Sequence, residues 1–346
     1  MDDAAEGYYK EKLRMSRREF LEIVEALSSA AQGDILQGAF DARSHRRIRT
    51  LSLGKRGGVR EQHVVIRYRS HVRIDCSGGR DEGASQCVPR DDHLAFWVAA
   101  AGRSARVRGE GFPNYYGCID YTDIYVDKPA NAPSENYFDG KHHFSVVAQV
   151  VVDLDLRVTD VFVGYPRSCH DIRVLQLSSL WTRAEEGNLF RGPAVLLPFG
   201  NFEVQTHGYI LGDNGYPPME WIMVPFGQTD QIFDEERLNN KQKVAKGAVE
   251  RAFGRLKGMW RLFLRTHKTN MDTLPQTFQV VCILHNIFLD TGIDFDDNLL
   301  WEVDANGVRR RVDLGMDHPP HPIAENFSRP QALALREALA ERMKHE

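Results

Sequence analysis

Apolar runs and alternating patterns predict a set of strands in the middle of the chain. Phe144–Val152 is an almost unbroken apolar run of strand length, as expected for a strand buried on both faces. Val158–Val163 alternates apolar and polar residues and is followed by a glycine, which is typical of another strand. Three further segments are predicted to be strands: Tyr116–Val126, Gly208–Leu211 and Trp221–Val224.

Helical spacing of apolar residues appears in four later segments: Asp171–Leu180, Glu235–Arg265, Leu274–Leu289 and Pro330–Lys344. The longest of them carries an apolar stripe formed by Ala245, Val249, Ala252, Leu256 and Trp260. The predicted order is therefore three strands, a helix, further short strands and then helices. This order indicates an α/β layer arrangement with helices against a sheet.

The two ends of the chain have weaker patterns. Ser16–Glu19 fits a capping box that opens one N-terminal helix, which should fade by Gly33. Residues 41–93 have little periodicity and are predicted to be loosely structured. Residues 290–346 contain twelve acids against seven Lys/Arg, which predicts a mostly solvated tail. We therefore expect a small irregular helical N-terminal region (1–113), a central α/β domain (114–290) and an acidic tail (291–346).

Charge is concentrated rather than spread along the chain. The 44 Lys/Arg and 48 Asp/Glu of the 346 residues give a net charge of −4, which argues against a uniformly basic protein that coats nucleic acid. Residues 41–73 nevertheless hold ten Lys/Arg against two acids, and residues 241–270 hold nine against one, so each carries +8. A local basic surface remains compatible with the near-neutral total.

Several protein classes are not indicated. The five cysteines are scattered and form no CxxC pair, so neither a disulfide framework nor a zinc ribbon is predicted. The longest apolar run, about Leu94–Ala101, is far shorter than the ~20 residues that a membrane helix needs. The acidic N-terminus MDDAAEG has no apolar signal region. We expect a cytosolic or nuclear protein with reduced thiols and no membrane contact.

Three acids lie where a structural role explains them incompletely: Asp120 inside a predicted strand, Asp213 at the end of another, and Glu250 within the long helix. Each has an ordinary alternative, since Asp213 precedes Asn-Gly in a turn and Glu250 could simply be solvated. If the three carboxylates converge at one end of the sheet, they could bind Mg²⁺, which prefers oxygen ligands. Two such ions can activate a nucleophile and stabilise the leaving oxygen of a phosphodiester.

The residues around Glu250 favour a phosphate-binding surface. Lys246 and Lys257 are spaced to share its helix face, and Gly247 and Gly254 would keep that face low enough for a phosphate backbone to approach. The alternative is an ordinary solvated helix, although such a helix normally mixes charge signs. The predicted DNA contacts are Lys246, Arg251, Arg255, Lys257 and Arg261.

Several long stretches in the region Gly117–Asn286 resemble the DDE endonucleases of PIF/Harbinger transposons and the host nucleases derived from them. The stretches are GCIDYTDIYVDKP, YFDGKHHFSVVAQVVVDLDLRVTDVFVGYPRSCHDIRVLQLSSLW, YILGDNGYP, VERAFGRLKGMWRLF and CILHNIF. The resemblance implies an RNase H-like mixed sheet flanked by helices, and cleavage and strand transfer of DNA with Mg²⁺ or Mn²⁺. It places the three acids at Asp120, Asp213 and Glu250. It also implies a nuclear location and a separate Myb-like DNA-binding partner.

This sequence departs from the family pattern at two places. Tyr121 and Asp123 stand where the family usually has Gly and His, and both should point to the face opposite Asp120. The upstream region lacks the spacing of a complete helix-turn-helix. These departures favour two alternatives to an active nuclease: a domesticated, catalytically inactive nuclear protein that acts in chromatin complexes, or a decayed transposon copy.

Smaller candidates have ordinary explanations as well. Asp171 is expected to be an N-cap or first-turn acid rather than a metal ligand. His142 and His143 are expected at the surface rather than as a zinc pair. His285 and Asn286 are expected to pack and hydrogen-bond.

Overall fold

A computed structural model describes residues 7, 9, 15–21, 111–129, 133–139, 143–227, 233–268, 271–316 and 329–343, together with the backbone of 47–52 and 63–68. The chain divides into two compact units. Met1–Ala99 and Asp290–Asp294 form the first, and Ala100–Leu289 and Phe295–Glu346 form the second. Every predicted site residue belongs to the second unit.

The first unit contains the predicted capping box. Ser16 Oγ accepts a hydrogen bond from the Glu19 N–H at 3.2 Å, and Glu19 Oε2 accepts one from the Ser16 N–H at 2.6 Å. Further along, β1 (Arg47–Ser52) and β2 (His63–Tyr68) pair as an antiparallel hairpin. The prediction of loose structure is wrong for these two strands, and the rest of 41–93 lies outside the described residues.

The strands after residue 110 are β3 (Tyr115–Val126), β4 (Phe144–Val152), β5 (Val158–Pro166), β6 (Val195–Phe199), β7 (Phe202–Thr206), β8 (Tyr209–Leu211), β9 (Ile222–Met223), β10 (Trp301–Val303) and β11 (Arg309–Arg311). The helices are α1 (Asp171–Leu177), α2 (Ser179–Glu185), α3 (Phe233–Met259), α4 (Leu274–Thr291) and α5 (Pro330–Arg342). None of the helices in the described part of the chain is long and apolar enough to cross a membrane.

Five strands form the central mixed sheet in the order β5-β4-β3-β8-β9. The first three strands of the chain segment pair antiparallel, and β8 and β9 add in parallel on the other side of β3. Consecutive residues along β3 and β4 are buried, so both faces of the sheet centre are covered, as the continuous apolar runs predicted. This mixed sheet flanked by helices is consistent with the expected RNase H-like fold.

Most helix predictions agree with the structure, with one break. The segment predicted as a single helix from Asp171 divides at Ser178, whose Oγ donates to the Leu175 carbonyl at 2.6 Å and accepts from the Trp181 N–H at 3.3 Å. The serine thereby ends α1 and caps α2. In α3, four of the five predicted stripe residues are buried, and Trp260 is half-buried.

The expected packing role of His285 and Asn286 is confirmed. Asn286 donates through Nδ2 to the Val158 carbonyl at 2.7 Å and accepts from the Val158 N–H at 2.9 Å. His285 Nε2 lies 2.8 Å from the Leu156 carbonyl oxygen. Burial lowers the pKa of His285 to about 4, so the ring is neutral at physiological pH. Helix α4 is thus fixed to the first residues of β5.

Parts of the region after residue 294 pack against the central domain, although most of the residues in 295–311 are exposed. The Gly315 carbonyl accepts a hydrogen bond from the Asp123 N–H at 2.8 Å, so this segment continues the pairing of β3 beyond the end of β8. Leu300 and Leu314 lie against Gly254 of α3. Helix α5 buries Leu335 and Leu339 and packs against β6 and β7, a hairpin that the sequence did not predict. Local composition failed here because these contacts join residues far apart in the chain.

Candidate active site

Asp120 and Asp213 lie just beyond the carboxyl end of the parallel pairing between β3 and β8. The last paired residues of β3 and β8 are Cys118 and Leu211. Asp120 lies two residues beyond the first of them and Asp213 two residues beyond the second. The parallel register therefore brings the two acids together, although neither spacing nor periodicity fixes that register in the sequence.

A turn holds the Asp213 carboxylate in place. Its Oδ1 accepts a hydrogen bond from the Gly215 N–H at 2.9 Å, and its carbonyl accepts from the Tyr216 N–H at 3.1 Å. The turn role considered from the sequence is therefore real. It does not exclude a functional role, because the turn engages Oδ1 and leaves Oδ2 to contact Lys246.

Lys246 of α3 joins the two acids. Its Nζ lies 3.2 Å from Asp120 Oδ2 and 3.1 Å from Asp213 Oδ2. Burial lowers the pKa of Lys246, but the attraction of the two carboxylates outweighs it, and the net shift is upward. The two Oδ2 atoms thus converge on one positive charge.

Asp120 is the more buried of the two acids, with a side chain 11% exposed against 29% for Asp213. Burial raises its pKa to about 6; Lys246 opposes this rise, and the charge of Asp213 adds to it. The pair therefore needs a cation to keep both carboxylates ionised.

Glu250 is not brought to the same point. It lies one turn beyond Lys246 on α3 and is exposed, and no hydrogen bond or ion pair joins it to Asp120 or Asp213 in the described part of the chain. Residues 15–316, within the ranges that the structure describes, contain no arrangement of three or more Asp, Glu, His or Cys that could hold a metal ion. The described contacts thus join two of the three predicted acids, through Lys246.

A third carboxylate, Asp171, lies beside Asp213. It is the first residue of α1, and the N-cap residue His170 makes no side-chain cap. A Cβ built on Gly215 would lie 2.7 Å from Asp171 Oδ2 and 3.0 Å from Asp213 Oδ1, so both oxygens border the same point. Burial raises the pKa of Asp171 to about 7, with Asp213 adding to the rise. The first-turn position was predicted, but the neighbourhood of Asp213 was not.

Strand alternation predicts that Tyr121 and Asp123 point away from Asp120. The Tyr121 hydroxyl nevertheless hydrogen-bonds Asp171, the acid beside Asp213. Tyr121 and Asp123 both contact Arg167, whose guanidinium carbon is 5.5 Å from the Tyr121 ring centroid and whose Nε is 3.5 Å from Asp123 Oδ1. Asp123 is only 1% exposed, and burial raises its pKa to about 7. It is therefore a buried acid next to Arg167 and is separate from the Asp120–Asp213 pair.

The predicted DNA contacts divide into buried and exposed cations. Lys257 is completely buried, and its Nζ donates to the Asp123 carbonyl at 2.7 Å and the Leu314 carbonyl at 2.9 Å. Its assignment as a phosphate contact is corrected on that ground. The guanidinium of Arg255 lies 5.9 Å from the Phe295 ring centroid, and Arg261 Nη2 lies 3.8 Å from Glu302 Oε2.

Arg251 is exposed, and Lys246 is 20% exposed but engaged by the two acids. The glycines of α3 also have another explanation than an approaching phosphate. The methyl groups of Leu300 lie 3.5 and 3.6 Å from a Cβ built on Gly254, so protein side chains occupy that surface.

The donor set of the site fits a divalent cation. Asp120 and Asp213 offer carboxylate oxygens, which Mg²⁺ prefers, and both already face a single positive charge. A bound divalent ion would take the place of the Lys246 ammonium between the two carboxylates.

The matching family has the description "DDE superfamily endonuclease" and covers residues 119–286. Through this segment, which is just under half of the chain, the protein is similar to the DDE superfamily endonucleases. The segment contains all three acids proposed from the sequence, and it runs from β3 to Asn286 of α4. The expected resemblance to Harbinger-derived nucleases is thereby confirmed.

Relatives in plants and mammals are similar over the same region. An Arabidopsis thaliana protein named ALP1-like is 34% identical over 182 residues, which are 52% of this chain and 44% of that protein. Antagonist of like heterochromatin protein 1 from the same plant is 27% identical, over 53% of this chain and 46% of its own length. A human protein named as a candidate nuclease, HARBI1, is 25% identical over 63% and 54%.

The chain therefore spans about half the length of the curated relatives that it matches. No solved structure matches it.

Proposed function

We propose that the chain is a metal-dependent DNA endonuclease of transposase origin, with Asp120, Asp213 and Glu250 as its acids and Mg²⁺ or Mn²⁺ as its cofactor. The observation that carries the proposal is the convergence of Asp120 Oδ2 and Asp213 Oδ2 on one cation at the edge of an RNase H-like sheet. The match to this family supports the nuclease class, and a DNA substrate follows from it.

The position of each residue suggests its role at the site. Asp120 and Asp213 would hold the metal, and the Gly215 N–H keeps Asp213 oriented through its other oxygen. Bound divalent ions supply Lewis-acid chemistry, which activates the attacking water or 3′-hydroxyl and stabilises the leaving oxygen. Lys246 holds the two acids together before metal binds and, once displaced, would be free to contact a phosphate. Glu250 would complete the ligand set through a movement of its exposed side chain.

A nicking assay tests this proposal. Supercoiled plasmid is incubated with Mg²⁺ or Mn²⁺ and the wild-type chain, Asp213→Asn or Asp120→Asn. We expect metal-dependent nicking by the wild type and none by either variant, because each loses a charged ligand but keeps its shape. Asp155→Asn, which changes an exposed acid in a distant turn, is the matched control and should nick normally. Metal-dependent nicking by Asp213→Asn would refute the assignment.

DNA binding is proposed to use the exposed cations of α3, chiefly Arg251, rather than all nine Lys/Arg of 241–270. Each phosphate contact adds about 0.9 to the slope of log affinity against log salt. Arg251→Ala should therefore lower that slope by about one unit, measured by fluorescence anisotropy. We also propose a nuclear location and a separate Myb-like DNA-binding partner, both from the family resemblance.

A second candidate function is a nuclear interaction protein that retains the fold without chemistry. Two observations favour it: Lys246 already occupies the position between the two acids, and one relative is named as an antagonist of a heterochromatin protein. Capture of chromatin partners by a chain with all three acids changed to their amides would support this candidate. Loss of that capture in the same variant would favour the enzyme.

A further inference from the structure

The exposed hairpin of β10 and β11 has two different faces. Side chains that pair directly across an antiparallel ladder point to the same face, and so do side chains two residues apart on one strand. One face, which we call the ribbon face, therefore consists of Trp301, Val303, Arg309 and Arg311. The opposite face holds Glu302 and Arg310. Of the strand residues in this hairpin, the ribbon face thus receives two arginines and a tryptophan but no acid.

The acids of the hairpin are paired with cations outside the ribbon face. Glu302 Oε2 lies 3.8 Å from Nη2 of Arg261, which follows α3 in the chain. Asp304 Oδ2 lies 2.8 Å from Arg310 Nε on the opposite face. Arg311, in contrast, forms no ion pair with any residue that the structure describes. The positive charge of the ribbon face is therefore left for a ligand from outside the chain.

Trp301 is an exposed aromatic residue beside an arginine that is held in place. The residue is 41% exposed, and the guanidinium carbon of Arg309 lies 4.9 Å from its ring centroid. Arg309 Nη2 also donates a hydrogen bond to Asn298 Oδ1 at 2.8 Å, which keeps the guanidinium next to the ring. Unpaired nucleic-acid bases stack on aromatic rings and on guanidinium planes. The pair therefore offers two flat surfaces to a base and a charge that attracts its phosphate.

The hairpin is attached to the helix whose lysine contacts the acid pair. Leu300, which precedes β10, has methyl groups 3.5 and 3.6 Å from a Cβ built on Gly254 of α3. Gly254 follows Lys246 by eight residues, which is ~12 Å along the helix axis. One turn of duplex DNA is ~34 Å long. The DNA that flanks a phosphate bound at Asp120 and Asp213 would therefore extend past the hairpin within less than one turn.

We propose that the ribbon face is a second DNA-binding surface, on which Arg309 and Arg311 contact phosphates and an unpaired base of the flanking strand stacks on Trp301. The inference rests on the proposed function for its ligand, but it places the contact outside the acid pair and outside the exposed cations of α3. The two arginines are ~6.4–6.8 Å apart along their strand, and two base steps of DNA rise ~6.8 Å. The base has to be unpaired, because a base inside a duplex already stacks on its neighbours.

Fluorescence anisotropy with two labelled DNA probes tests the ribbon face, using the full chain in EDTA so that no cleavage occurs. The probes are a single-stranded oligothymidine and a blunt duplex of the same length. Trp301→Ala should weaken oligothymidine binding about fivefold or more and duplex binding less, because only the single strand offers a base for stacking. Trp301→Phe keeps an aromatic ring and should retain most of the affinity. Arg311→Ala should lower the slope of log affinity against log salt by about 0.7 on the oligothymidine.

Arg310→Ala is the matched control. Arg310 is exposed like its neighbour Arg311, but it points to the opposite face and pairs with Asp304. This variant should keep the affinity and salt slope of the wild type, and thermal melting checks that every variant folds. Equal losses for Arg310→Ala and Arg311→Ala, or unchanged oligothymidine binding by Trp301→Ala, would overturn the ribbon face and leave the nuclease proposal standing.

Three further outcomes separate this inference from the proposed function. Tighter binding of an oligoglutamate peptide than of oligothymidine, lost in Trp301→Ala, would assign the ribbon face to an acidic protein and overturn DNA as its ligand. Absence of plasmid nicking together with the expected binding results would overturn the nuclease alone. A wild type that binds neither DNA probe would overturn the ribbon face together with the proposed DNA substrate.

Discussion

Two Lys-Gly pairs, eleven residues apart on α3, have opposite surroundings. Lys246 is 20% exposed and bridges two carboxylates, and its neighbour Gly247 has only the end of the Arg251 side chain near its Cβ position. Lys257 is completely buried and bonds two backbone carbonyls, and Gly258 lies against the Phe295 ring. The first pair is open to exchange with a cation, whereas the second is closed by the segment after residue 294.

The difference shows that a buried charge does not by itself mark a functional site. Asp123 and Asp120 are both buried acids of β3, each near a lysine of α3. Near Asp123, Lys257 donates hydrogen bonds to two backbone carbonyls, and these carbonyls would lose their donor if the lysine moved away. Near Asp120, Lys246 forms ion pairs with two carboxylates, and a metal ion could bind the same carboxylates in its place. The Asp120–Asp213 pair is a candidate metal site because its positive partner can be exchanged.

The largest expected difference between the two pairs is in folding stability. Lys257→Met should lower the free energy of unfolding by about 3–5 kcal/mol, because it removes the donor of two backbone carbonyls and one of the two cations near Asp123. Lys246→Met should cost less, about 1–3 kcal/mol, since Asp213 is 29% exposed and Asp120, whose pKa is about 6, can take up a proton once the lysine is gone. Urea denaturation in EDTA measures both. Equal losses in the two variants would contradict the distinction between an open and a closed pair.

The pH dependence of folding stability should reveal the buried charges at the closed pair, Asp123 and Lys257. Burial raises the folded-state pKa of Asp123 from 3.8 to about 7, so folding favours its protonated form, and this contribution to stability is lost as pH rises from about 4 to 7. Burial lowers the pKa of Lys257 from 10.5 to about 8, so its contribution is lost as pH falls from about 10.5 to 8.

Asp123→Asn should therefore reduce the decline of unfolding free energy between pH 4 and 7 by about 2 kcal/mol or more, as measured by urea titrations at several pH values. Saturating Mn²⁺ should leave this effect of the substitution unchanged, because the contacts of Asp123 with Arg167 and Lys257 do not include the proposed metal ligands. A reduction that appears only in EDTA would show that Asp123 and the acid pair titrate together.

The smallest expected effects concern the two glycines. Gly258→Ala places a methyl group 2.9 Å from Phe295 Cζ, so a ring packed on the helix has to move, and we expect a loss of about 1–3 kcal/mol. Gly247→Ala meets only Arg251 Nη1 at 3.2 Å, the end of a flexible side chain. Here the better helix propensity of alanine should raise stability by about 0.5–1 kcal/mol. Thermal or urea unfolding of both variants measures the contrast, and a gain for Gly258→Ala would remove it.

Much of the sheet could be predicted from the sequence, because its strands carry strong local patterns. Phe144–Val152 has the bounds that its apolar run predicted, and β3 begins one residue earlier than expected. The acids Asp120 and Asp213 were found because a carboxylate inside or at the end of a buried strand violates the local pattern. Asp171 gave no such signal, since an acid in the first turn of a helix is ordinary.

The sequence thus determined the hydrophobic pattern, the order of strands along the chain and the resemblance to DDE nucleases. Each of these depends on short stretches of the chain that can be interpreted without knowing their neighbours in space. Tertiary structure decided which charges are available. The register of β3 and β8 joined Asp120 to Asp213, and the return of residues 295–316 to α3 buried Lys257 while Lys246 stayed within reach of solvent. Charge counts cannot separate the two lysines, because the free energy of a charge is set by burial and by partners that come from distant parts of the chain.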